Sequence, residues 1–103
     1  MSRLELTTLH CERRQDLTNL DEPRIKVDNS VVWSGVLGKG DSTSLVPTNV
    51  EFDDTAEVKL EERDGDKAKQ IGSTLTVRAG GAGPQPAEFK TSGAYYKLYY
   101  RIT

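Results

Sequence analysis

With 103 residues, 35% of them hydrophobic and 29% charged, the chain has material for one hydrophobic core and too many apolar residues for a disordered segment. Fourteen basic against sixteen acidic residues give a net charge of -2, which argues against a nucleic-acid surface, where a basic excess would be needed. A single cysteine, Cys11, excludes an internal disulfide and cysteine-based zinc sites. Along the chain, turn residues recur at short intervals and no stretch keeps a helical period, which is the pattern of an all-β domain. Leu4, Leu6, Leu9 and Cys11 form a first strand, and the change of parity around Thr7 and Thr8 predicts a bulge or twist. Residues 12–22, ERRQDLTNLDE, are polar and read as a loop, with Pro23 opposing any helical continuation. Ile25 and Val27 alternate with Arg24 and Lys26. Asp28-Asn29-Ser30 is turn chemistry and Val31-Val32-Trp33 is extended, so residues 24–34 read as a hairpin.

Gly35 to Asp41 is a glycine-containing loop, Ser42 to Val46 a weaker strand, and Pro47 to Asp54 a segment carrying Val50 and Phe52 before the next turn. Ala56, Val58 and Leu60 alternate with Glu57, Lys59 and Glu61 as a half-buried strand should. Ile71, Leu75 and Val77 mark the next strand, and AGGAGPQP, residues 79–86, reads as a loop because of its glycines and prolines. In the last strand Ala94, Tyr96, Leu98, Tyr100 and Ile102 face one way, and Tyr95, Lys97, Tyr99 and Arg101 the other. Seven or eight short strands without helices bury their apolar faces as two packed sheets or as a small barrel, and the favoured expectation is an antiparallel β-sandwich spanning residues 1–103 as one domain. The first twenty residues lack an apolar run of signal-peptide length, and no stretch reaches the roughly 20 apolar residues of a spanning helix. The cytoplasm is therefore the default expectation.

Candidate chemistry is sparse. His10 and Cys11 are neighbours on a strand and point to opposite faces, so they do not form a thiol–imidazole pair, and Cys11 reads as a core residue. GVLGKGDST, residues 35–43, lacks the Gly-Lys-Ser/Thr order and the following helix of a phosphate-binding loop. Trp33, Tyr95 and Tyr99 are candidates for an aromatic recognition surface, although tyrosines also suit any half-buried strand. No nucleophile–base pair is visible, and the expectation is a protein without enzymatic activity. The acidic stretch is the strongest candidate. Glu62, Asp64 and Asp66 recur at every second position where the Ala56–Leu60 strand ends, a spacing that projects extended side chains to one side. Calcium takes about 6–8 oxygens and one loop rarely supplies them, so a second acidic loop has to lie alongside; residues 12–22 offer Glu12, Asp16, Asp21 and Glu22. The plain alternative is a solvated charged turn.

Three stretches carry a family resemblance. LTTLHCERRQDLTNLDEPRIKV resembles the opening of a C2 domain, the calcium- and phospholipid-binding β-sandwich module, in which an aspartate-bearing loop is followed by an Asp-Pro pair. Here Asp16 is followed by Asp21-Glu22-Pro23, with one residue inserted in the pair. VKLEERDGDKAKQIGSTLTV is similar to the family's later strand, acidic loop and Ile-Gly strand start, and GAYYKLYYRI to its closing strand. The three cover about half of the chain, which looks like a short, divergent relative closest in kind to small bacterial C2-like proteins. The resemblance implies a calcium site shared by two loops, with Asp16 and Asp21 from the first and Glu62, Asp64 and Asp66 from the second. Through it the module would reach a membrane surface or a protein partner. The chain departs from the family at Glu62, where aspartate is usual, and at Lys67 and Lys69, where further acids are common, while Arg63 adds one more positive charge. Leu17 and Leu20, with the two lysines, are the candidates for loop-tip contact with a bilayer. The alternative reading is a metal-free interaction or assembly protein that uses an edge strand or the tyrosine face.

Overall fold

Alternation of apolar and polar side chains leaves each strand one face to bury, and the chain does so by stacking two four-stranded antiparallel sheets. The computed structural model describes residues 2–13, 22–38, 40–64, 67–81, 85–91 and 93–103, with Arg13, Asp64 and Gln85 described at the backbone. Eight strands follow in order: β1 (Ser2–Arg13), β2 (Pro23–Val27), β3 (Ser30–Ser34), β4 (Ser42–Phe52), β5 (Thr55–Asp64), β6 (Lys67–Arg78), β7 (Gln85–Thr91) and β8 (Ala94–Ile102). One sheet has the order β4-β1-β8-β7 and the other β3-β2-β5-β6. The described residues contain no helix, as the strand rhythm predicts.

The two sheets meet over a core of Leu4, Leu6, Leu9 and Cys11 from β1, Ile25 and Val27 from β2, Ala56, Val58 and Leu60 from β5, and Ala94, Tyr96, Leu98 and Tyr100 from β8. The expected parity change in β1 is a bulge between Leu6 and Thr8, seen in its register with both neighbours. The Thr7 hydroxyl donates to the Tyr99 carbonyl at 2.9 Å, which satisfies an acceptor that the broken ladder would leave open. The expected hairpin at residues 24–34 turns on Asp28 and Asn29, both at positive φ (50° and 69°), as a two-residue turn matched to strand twist requires. The Asp28 carboxylate accepts from the Glu57 N–H at 2.9 Å, tying the turn to β5.

Two expectations need correction. Ser42–Val46 and Pro47–Asp54 are not separate segments: Ser42–Phe52 is one strand that runs through Pro47 with a cis Val46–Pro47 bond. Proline is accommodated because β4 lies at a sheet edge, where a missing N–H breaks no ladder. The loop expected over residues 79–86 ends earlier, since Gln85 and Pro86 already pair with Tyr100 and Tyr99 as the start of β7. That strand is again an edge, and it delivers the buried Phe89 to the core.

Candidate functional site

Strand pairing sets the start of β2 beside the end of β5. In the β2–β5 ladder Pro23 sits opposite Glu62, so the chain entering β2 and the chain leaving β5 lie side by side at one end of the sandwich. One step further out, the Arg63 N–H donates to the Glu22 carbonyl at 3.0 Å. β5 runs on to Asp64 and β6 begins at Lys67, so this end of the β5–β6 ladder lies beside Glu22. Of the sequence candidates, Asp16, Asp21 and Asp66 lie outside the described residues, Asp64 is described at its backbone, and Glu62 is described in full. Leu17 and Leu20 also lie outside them.

Glu62 continues the inward series Ala56, Val58 and Leu60, and its exposure is 7%, which makes it the one buried charged residue of the described core. Sequence alternation foresees that parity, but the degree of burial comes from β6 and β2 covering both sides of β5. A carboxylate taken out of water needs compensating charge or hydrogen bonds, and Glu62 is not an isolated group. Lys69 stands directly across from Glu62, and Lys67 across from Asp64, so register sets a basic residue opposite each of these two candidate acids. Among the described residues no group of three or more His, Cys, Asp or Glu side chains could hold a metal. The described part of this end therefore supplies Glu22 and Glu62, well short of the roughly six oxygens of a calcium shell. A complete shell would have to come from the aspartates of the two loops.

On the outer face of the same sheet, Glu61 gathers two cations. Arg24 contacts it through Nε and Nη2 at 2.9 Å and Lys26 through Nζ at 3.3 Å. Partial burial alone would push the Glu61 carboxyl up, but hydrogen bonds from Arg24 and Lys26 and their charges outweigh it and hold it below its ordinary value. Arg24 and Arg63 border a recess of about 280 Å³.

The other candidates separate. Tyr95 and Tyr99 lie on the outer face of β8, whereas Trp33 belongs to the opposite sheet and packs against the core, so the three do not form one surface. The Tyr95 hydroxyl donates to the Glu88 carboxylate, and Lys90 and Lys97 lie 4.5 and 5.8 Å from its ring centroid. The hydrogen bond to Glu88, then desolvation, then the nearby carboxylate charges of Glu88 and Glu12 push this phenol up to about 12. Its ring and hydroxyl are thus engaged within the sheet. Cys11 is fully buried while His10 is on the outer face, where Nδ1 meets Ser42 Oγ at 2.5 Å and Nε2 lies 3.4 Å from Glu12. In the 35–43 loop the Gly38 N–H donates to the Asp41 carboxylate at 2.8 Å, so a side chain of the loop itself occupies a donor that a phosphate cradle would need. The loop is pinned to β1 by the Cys11 N–H to Asp41 carbonyl and Gly40 N–H to Cys11 carbonyl bonds, at 2.9 and 2.7 Å.

No family model matches the sequence, and no curated protein does. Solved structures do match. A structure of extended-synaptotagmin 2 containing its two C2 domains superposes on 98% of this chain with a TM-score of 0.59 and 17% identity. The chain spans 39% of that two-domain chain. A second structure, of a C2 domain, gives a TM-score of 0.53 and 13% identity over 99% of this chain and 95% of its own. At such identities the likeness is one of fold, and the fold is that of a C2-like domain.

Proposed function

We propose that the chain is a non-enzymatic C2-like binding module that takes calcium between its two acidic segments and docks through that end on a membrane surface or a protein partner. The observation that supports this reading is the Pro23–Glu62 pairing, extended by the Glu22–Arg63 hydrogen bond, which sets Glu22, the last residue of the 12–22 segment, beside Glu62 and Arg63. Asp16, Asp21, Asp64 and Asp66, with Glu62, are the residues that would hold the ion, and the ion would supply positive charge at an end otherwise rich in carboxylates. An ion that binds the folded state alone stabilises it by mass action; at ten times Kd this amounts to about 1.4 kcal/mol, or about 5–10 °C in Tm for a domain of this size. Calcium at about a millimolar should therefore raise Tm, a chelator should reverse the rise, and the double variant Asp21→Asn/Asp64→Asn should abolish it. A wild-type Tm that ignores calcium at every concentration would sink the metal reading and leave the fold untouched.

A further inference from the structure

At the same end as the acidic loops, but on the outer face of the β3-β2-β5-β6 sheet, Glu22, Arg24, Val31, Gly35, Val36 and Arg63 line the recess of about 280 Å³. Ligand pockets run about 300–1,000 Å³, so it has room for a side chain or two and not for a whole cofactor. Three large apolar side chains are exposed among the described residues, and two of them, Val31 at 51% and Val36 at 55%, converge on this recess. Two guanidiniums and one carboxylate share its wall. Arg24 directs Nε and Nη2 at Glu61, and a guanidinium carries five N–H donors in all. The recess also adjoins β3, which among the described residues has β2 as its one sheet neighbour and no ladder partner along its other edge. Gly35 is held where a side chain cannot go: a Cβ there would lie 2.6 Å from the Trp33 ring, so the wall is smooth backbone backed by indole.

We infer that this recess and the β3 edge form a docking site for an extended acidic peptide of a partner protein, independent of calcium. An added strand draws its affinity from main-chain hydrogen bonds along an edge and its specificity from pockets for alternate side chains. Alternation of an apolar residue with aspartate or glutamate fits this wall, the apolar group against Val31 and Val36 and the carboxylate against Arg63 and Arg24. A bilayer fits it less well. Glu61 draws on both Arg24 and Lys26, and Glu22 stands on the rim, so the face offers directed donors rather than the broad positive field that anionic lipid rewards at about 1 kcal/mol per free basic residue.

Trp33 is the sole tryptophan and lies on β3, so its emission reports the site directly. An N-acetylated octapeptide alternating valine and aspartate, titrated in the presence of chelator, should shift Trp33 emission saturably. Val36→Asp/Arg63→Glu should weaken that binding at least tenfold, whereas Lys97→Glu on the opposite sheet should leave it unchanged. The same peptide with alternate amides N-methylated should lose most of its affinity. Equal binding of the methylated peptide, indifference to Val36→Asp/Arg63→Glu, or response to phosphatidylserine vesicles but not to the peptide would each overturn the assignment. Because chelator is present throughout, failure here and failure of the calcium reading are separate results.

Discussion

A single carboxylate shows how local charge is balanced against burial in this domain. Glu61 is drawn into the outer face by Arg24 and Lys26, and its pKa in the folded state lies below the ordinary 4.5. The unfolded chain therefore binds the proton more readily, so the stabilisation is complete above pH 4.5 and is lost as pH falls through the lower folded value. The cluster is partly buried, with the Arg24 and Lys26 side chains 27% and 24% exposed and Glu61 15%, and charge-assisted contacts in such a setting are worth about 1–3 kcal/mol. Urea midpoints measured from neutrality down to about pH 3 should show Glu61→Gln losing part of the acid-side slope that the wild type has. Parallel profiles for the two proteins would mean that the contact contributes nothing. Glu62, one residue along, behaves differently because strand alternation turns it inward, and that difference is written in the sequence as parity alone. The acids of this stretch were legible as a group, but which one is buried depends on the strands that flank β5.

Among the elements, legibility followed the strength of alternation. β8 is legible because every second residue is apolar, and the β1 bulge as a slip of that same period; β5 is legible in phase but not in length, since its apolar series ends at Leu60 while the ladder with β6 runs on to Asp64. The sequence pattern divides β4 in two and assigns the first residues of β7 to a loop for one reason: Pro47 and Pro86 are signals against a ladder, and whether a strand lies at an edge is decided by tertiary order rather than by its own residues. β6 joins β7 by another route. It carries Gly72 at φ 73°, where a Cβ would lie 2.8 Å from the Lys90 nitrogen and 3.0 Å from the Phe89 Cα. The glycine lets two edges from different sheets press together and close one side of the sandwich. Gly72→Ala meets both the left-handed backbone penalty of about 1–2 kcal/mol and a clash of the overpacking kind, about 1–3 kcal/mol. A loss of about 2–5 kcal/mol in urea unfolding is expected, against about 1–2 kcal/mol for Gly40→Ser, which carries the positive-φ strain alone because its Cβ meets nothing within 4 Å. If Gly72→Ala unfolds no more easily than Gly40→Ser, the close approach of β6 and β7 is not what the glycine is for.

Across the whole molecule, the end bearing the acidic loops is also where basic residues gather, and the balance between them decides how that end behaves. The register that brings Glu62 and Asp64 to the loop junction also fixes Lys69 and Lys67 opposite them, so neither set can be moved without breaking the ladder. On the proposed calcium reading, a cation arriving there would meet carboxylates whose field is partly cancelled, and the two lysines would act as tethered competitors for it. Each exposed lysine–carboxylate contact is worth about 0–1 kcal/mol, so Lys67→Gln/Lys69→Gln should tighten calcium binding by about threefold to tenfold. In the absence of calcium the same variant should melt lower than the wild type, because the acids then repel one another without relief. The two melting curves should therefore cross as calcium is added. Isothermal titration beside the melting series measures both quantities on the same protein. A variant that is less stable without calcium yet binds the ion no more tightly would show that the lysines hold the acidic loops in place of a metal, and the docking role would then pass to the metal-independent face of the sheet.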